Sequence, residues 1–226
     1  SVYGFADSSP RKENSTLNPL TPYAKSKINS ELELQKLAND DFVITCLRFA
    51  TACGFSPRLR LDLVLNDFVA SAIVNKKIKI LSDGCPWRPL IHVKDMARAI
   101  HWAITRDAKI SGKYLVINTG SNNWNYQIKD LAFTVKNILG NIKIDINQDA
   151  LPDKRSYKVD FSLFKNLAPD FLPKVSLEDA VKDMYHGLKK INFREKDFRN
   201  SELIRLNVLN GHVESKRLDS NLSWSV

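Results

Sequence analysis

Apolar positions along this chain switch between helical spacing and short continuous runs, which predicts helices and strands in alternation. Residues 5–20 are polar and proline-bearing, a loop. Pro22 suits the first turn of a helix with Thr21 as its cap. From Tyr23 to about Leu37, the residues Ile28, Leu32, Leu34 and Leu37 supply an apolar stripe for that helix. Phe42 to Leu47 is a short β-rich run of the kind a buried parallel strand shows. A loop through Gly54 and Pro57 leads to a helix over Leu61 to Asn75, a strand at Ile78 to Leu81, and a turn at Asp83-Gly84.

Further along, the spacing predicts a helix from Val93 to Thr105, a strand from Tyr114 to Asn118 ended by Thr119-Gly120, and a helix from Ile128 to Leu139. The segment Ile142 to Ile146 alternates as a half-exposed strand does. Ser176 caps a helix from Leu177 to Lys189, with Asp179 as a weak capping-box partner. In the tail, Leu203, Leu206 and Leu209 recur at helical spacing, followed by Leu218, Leu222 and Trp224. No repeat or low-complexity segment interrupts the pattern. The fold class is therefore α/β.

Bulk composition changes this picture little. The 226 residues allow one or two domains, and 43% hydrophobic with 26% charged residues is ordinary for a soluble globular chain. No apolar run is long enough to cross a bilayer. Cys46, Cys53 and Cys85 lack metal-ligand spacing and read as packed thiols in a reducing, cytoplasmic setting. The net charge of +9 fits a phosphate-bearing substrate or a polyanion. Lysines and acids are mostly interleaved, which reads as solubilising charge, and no basic-aromatic RNA signature appears.

The chemistry sits at Tyr23-Ala24-Lys25-Ser26-Lys27. Positions i and i+4 share one helix face, so Tyr23 and Lys27 stand together. A nearby ammonium favours the charged form of a phenol, which suits Tyr23 to take and return a proton. Tyr185 and Lys189 match the same spacing, and there a core-and-surface helix explains them. His92 reads as a buried hydrogen-bonder before a helix, Asp95 as a cap for that helix, and Trp87 and Trp124 as packing residues. The other three histidines, His101, His186 and His212, have no partner spacing.

Around Tyr23 stand Val2-Tyr3-Gly4, then Leu47-Arg48-Phe49-Ala50-Thr51-Ala52-Cys53-Gly54, then Arg88-Pro89-Leu90-Ile91-His92-Val93-Lys94-Asp95. Together these resemble the extended short-chain dehydrogenase/reductases, in particular the nucleotide-sugar epimerases and dehydratases. The resemblance covers residue 1 to about 190 and implies the C-terminal part of a Rossmann-type doubly wound sheet plus a small α/β substrate-binding domain. Residues 1–54 would be the remainder of the NAD-binding Rossmann domain. Residues 55–226 would be mainly substrate-binding, with some segments returning to the sheet.

By the same resemblance Tyr23 is the acid/base, and Lys27 binds the nicotinamide ribose. Ala50 and Ala52 flank the nicotinamide, while Thr51 faces the sugar. Asn66 contacts the diphosphate region, Arg88 binds a phosphate through its guanidinium fork, and Arg155 and Tyr157 belong to a late substrate-contacting segment. The cofactor would be NAD or NADP, the partner a nucleotide-diphosphate sugar, and a homodimer would form through the Tyr23 helix, with no metal, nucleic acid or membrane.

Two departures bear on this. The family's catalytic Ser or Thr, by register, would precede Ser1, and the acidic pair typical of dehydratases is not what Ser1 supplies, which tilts the reading from dehydratase toward epimerase or reductase chemistry. The eight glycines are too far apart to form G-x-G-x-x-G or a P-loop. The chain thus reads as a fragment lacking the glycine-motif half. A truncated non-catalytic relative, or a basic binding module of the same fold, stays open as the alternative.

Overall fold

The computed structural model describes residues 2–4, 9–150 and 156–225. In chain order the elements are α1 (Pro22–Leu37), β1 (Ile44–Phe49), β2 (Thr51–Cys53), α2 (Val64–Asn75), β3 (Lys77–Ile80), β4 (Trp87–His92), α3 (Val93–Thr105) and α4 (Ala108–Ser111). There follow β5 (Tyr114–Thr119), β6 (Asn125–Gln127), α5 (Ile128–Leu139), β7 (Lys143–Ile146), α6 (Ser162–Leu167), α7 (Leu177–Lys190) and α8 (Arg205–Glu214). Among the described residues three small sheets result. β1 and β5 pair in parallel, β2 and β4 pair in parallel with β6 antiparallel on the far side of β4, and β3 and β7 pair in parallel.

Local chemistry explains most boundaries. The Thr21 hydroxyl accepts from the Ala24 amide at 3.1 Å, and Pro22 opens α1 where its missing N–H costs nothing. Ser176 caps α7 by accepting from the Asp179 amide at 3.1 Å, and its hydroxyl donates to the Asp179 carboxylate at 2.6 Å. The helices α3 and α5 start and stop where the apolar spacing places them.

Three expectations are corrected. The strand after α1 begins at Ile44, leaving Phe42 and Val43 exposed, because Asn39 turns the chain by accepting from the amides of Asp41 and Phe42. The apolar stripe of α1 is only partly used: Ala24 is buried, while Leu32 and Leu37 are more than half exposed. The short strands β2, β4 and β6 escape the periodicity, since three to six residues carry too little pattern and Pro89 sits inside β4.

The largest core joins α2, α5 and α7 through Leu65, Val69, Leu131, Val135, Val181 and Met184 around β3. A second core under β5 holds Trp102, Ile117 and Phe164, with the Trp102 and Phe164 rings edge to face. A third, small core of Tyr3, Ala50, Ile91, Val159 and Phe161 sits where β1 passes into β2. That junction places the 50–54 backbone. Among the described residues no helix is long and apolar enough to cross a membrane.

Gly54 ends the junction at φ +102°, and a Cβ there would meet His92 Nε2 at 2.2 Å. Gly54→Ala is expected to cost roughly 3 kcal/mol or more in urea unfolding, from strain and overpacking together. Gly211→Ala, in an open position of α8, is expected instead to gain about 0.5–1 kcal/mol. Equal effects at the two sites would refute the packing argument.

Candidate active site

One cavity of about 840 Å³ runs along α1 and the β1–β2 junction, and it gathers Tyr23, Lys27, Ala50, Thr51, Ala52 and Tyr157. Tyr23 is 63% exposed, and the Lys27 Nζ lies 5.4 Å from the centre of its ring. Ala50 is fixed through its amide, which donates to the Thr119 carbonyl at 3.0 Å, while Thr51 and Ala52 run in register with Leu90 and Ile91 of β4. Tyr157 enters from a distant loop with its amide on the Trp87 carbonyl at 3.4 Å. Burial pushes the Tyr157 phenol above its ordinary value, with the Arg88 charge pulling the other way.

Two expected residues lie off this wall. Asn66 is buried, accepts from the Gly54 amide at 2.9 Å and donates to the Arg60 carbonyl at 3.0 Å. Its amide thus folds the 54–60 loop over the N-terminal end of α2. Arg88 lies on β4 opposite Tyr126 and donates to the Trp87 carbonyl at 2.8 Å. Arg155 lies outside the described residues. Trp124 packs in the main core, whereas Trp87 lies beneath the Lys158 ammonium at 3.9 Å.

The sequence reading missed the polar cluster behind Tyr23. Glu31, one turn beyond Lys27, forms a bidentate pair with Arg48: Nε to Oε1 is 2.9 Å and Nη2 to Oε2 is 2.6 Å, with the side chains only 13% and 10% exposed. Arg48 Nη1 also donates to the Tyr3 hydroxyl at 3.0 Å and the Glu13 carbonyl at 3.2 Å. Tyr3 donates onward to Asn118 Oδ1 at 2.5 Å, and burial raises its phenol against the pull of Arg48. The Tyr114 hydroxyl donates to the Glu31 carbonyl at 2.7 Å, and burial with the neighbouring Cys46 pushes that phenol up to about 12. The Tyr-x-x-x-Lys-x-x-x-Glu spacing was the available signal. Arg60, which also lines the cavity, forks onto Asp62 at 2.8 and 2.7 Å.

A second cluster supports the far end of β2. His92 accepts from the Lys94 amide on Nδ1 at 3.2 Å, and its Nε2 faces Asp183 Oδ2 of α7 at 3.2 Å, so the proton belongs on Nε2. His92 is therefore the cap of α3. Asp95, expected to cap that helix, is instead buried in its first turn and accepts from the amides of Lys174 and Val175 at 3.0 and 3.1 Å. Asp183 also accepts from the Phe55 amide at 3.2 Å and from Lys94 Nζ at 2.8 Å. Burial works to raise the Asp183 carboxyl, but these donors outweigh it and hold the group below its usual range. Among the described residues no group of His, Cys, Asp and Glu is placed to hold a metal ion.

The chain matches the model of the NAD dependent epimerase/dehydratase family over residues 1–120. It is 25% identical over 198 residues to a candidate UDP-glucose 4-epimerase of Methanocaldococcus jannaschii, covering 84% of this chain and 61% of that protein. The fold is similar to the UDP-glucuronic acid 4-epimerase of Bacillus cereus solved with UDP-glucuronic acid and NAD, at 26% identity and a TM-score of 0.69 over 84% of this chain and 59% of that one. It is similar also to MoeE5 in complex with UDP-glucuronic acid and NAD, at 25% identity and a TM-score of 0.69, covering 84% and 62%. The chain spans less than two thirds of the length of each.

Burial holds the His92 imidazole below its ordinary value despite Asp183 and Asp95, with Lys94 adding to the effect. The unfolded chain then takes up the proton first, so stability is full above about pH 6.5 and falls as the pH drops through it. The urea midpoint is expected to decline between about pH 7 and 5.5, and His92→Asn to flatten that slope. Parallel curves for the two proteins would refute this assignment.

Proposed function

Because the chain belongs to the NAD dependent epimerase/dehydratase family, we propose that it forms the proton-transferring and sugar-binding part of an enzyme that epimerises a nucleotide-diphosphate sugar. The observation that carries this reading is the single cavity shared by Tyr23, Lys27, the 50–52 backbone and Tyr157. The nicotinamide end of NAD fits that wall, where Lys27 offers an ammonium to ribose hydroxyls and Ala50 and Ala52 offer small side chains against a flat ring. The glycines are too widely spaced to form a pyrophosphate cradle.

Tyr23 accepts the proton of a sugar hydroxyl while the carbon bearing it becomes a ketone. NAD, when bound, supplies the acceptor and later the donor of the hydride. Lys27 holds the ribose and keeps its ammonium close to the Tyr23 ring. Thr51 and Tyr157 hold the ketone sugar as it turns, and Tyr23 returns its proton to the oxygen when the opposite face is reduced. Arg88, with Arg155, would take the diphosphate oxygens, and Asn66 would act on that region through the loop it folds.

On this reading residues 1–54 form the dinucleotide side and residues 55–226 mainly the sugar side. The packing of α3 on β1 and of α6 on β5 supports a return of later segments to the first sheet. A second copy lying on α1 would cover the exposed Leu32 and Leu37.

Tyr23→Phe is expected to lower interconversion of a UDP-sugar with its epimer by roughly 10²–10⁴-fold, the usual size of a general acid-base contribution. Binding of the UDP-sugar, followed by calorimetry, is expected to change little. Equal turnover in the two proteins would overturn the reading.

A further inference from the structure

We propose that Arg48 is a positioning residue that keeps the Glu31 carboxylate away from Lys27, so that the Lys27 ammonium stays beside Tyr23. Lys27 and Glu31 are separated by four residues on α1 and line the same cavity. At that spacing a lysine and a glutamate are within reach of a helix ion pair. Here they do not form one: both Glu31 oxygens are taken by Arg48, and Lys27 makes no ion pair with another described residue, its Nζ lying 5.4 Å from the Tyr23 ring centre.

The arrangement depends on a guanidinium. Arg48 uses Nε and Nη2 on the two carboxylate oxygens and Nη1 on Tyr3 and Glu13, a fixed fork that a lysine's point charge cannot reproduce. The helix cannot roll to escape the contact, because the Tyr114 hydroxyl holds the Glu31 carbonyl at 2.7 Å. Without Arg48, the nearest cation on the same helix face is Lys27, and its capture would draw the ammonium one turn away from Tyr23.

This inference rests on the reading of Tyr23 and Lys27 given above, but its test does not require turnover. The folded chain is treated with limiting acetic anhydride, and acetylation of each lysine is read by peptide mass spectrometry. Lys25, on the same helix, serves as the internal standard. Arg48→Lys, which keeps the charge and loses the fork, is expected to slow Lys27 acetylation about two-fold relative to Lys25, the size of one exposed helix ion pair. Glu31→Gln combined with Arg48→Met removes both charges and is expected to restore the wild-type ratio. Circular dichroism confirms that each variant is folded, and the double variant remains informative if Arg48→Lys is not, because a buried pair can be replaced together more easily than broken.

An unchanged Lys27 ratio in Arg48→Lys, or a slowed one in the double variant, would overturn the proposal. If Tyr23→Phe left turnover intact while the acetylation pattern appeared as expected, the enzyme reading would fail and the Arg48 assignment would stand.

Discussion

The buried pair between Arg48 and Glu31 is the constraint on which the site depends. It joins the C-terminal end of β1 to the face of α1 that carries Tyr23 and Lys27, and through Tyr3 and Glu13 it reaches the segment that precedes α1. Two charges so far out of water persist only when every donor and acceptor is matched, and here the guanidinium is matched on three sides. Breaking one partner would leave the other buried and unpaired. The cost of that loss restricts the helix to one rotation and one height against the sheet, which is what the proposed proton transfer at its first turn would require.

A second support works from the other end. The short strand β2 lies against β4, and its exit at Gly54 is closed over by His92, Asn66 and Asp183. Asp183 comes from α7, about a hundred and thirty residues after Phe55, whose amide it accepts. The backbone that would face a nicotinamide is thus held by groups from β4, α2 and α7 together. Preorganisation of this kind places a wall without asking flexible side chains to do so.

Much of the fold was legible in the chain. The ends of α3 and α5 followed from apolar spacing, and the caps Thr21 and Ser176 followed from hydroxyls ahead of periodic segments. The short strands β2 and β6 were not, because three residues hold no period, and β4 was not, because Pro89 and Arg88 disguise a strand that is paired on both sides. Asp95 looked like a cap because it stands near a helix start, but its partners, the amides of Lys174 and Val175, are some eighty positions away. Arg88 carried a motif and Asn66 a place on the helix after the Pro57 loop, and the structure shows what each of them touches: the neighbouring Trp87 carbonyl and the loop of residues 54–60.

The two tyrosine-lysine pairs separate what each level decides. Tyr23 with Lys27 and Tyr185 with Lys189 have the same spacing and nearly the same geometry, with ammonium-to-ring distances of 5.4 and 5.7 Å. The sequence by itself determined that each pair shares a helix face, because the helix repeat brings positions i and i+4 together. It also determined the family likeness and the alternation of strands and helices. Only the tertiary structure decided that the first pair lines a cavity while Tyr185 packs against the main core. It alone decided that Glu31 belongs to Arg48. Helical spacing is a property of neighbours in the chain, whereas burial and charge pairing depend on which distant segments close over them.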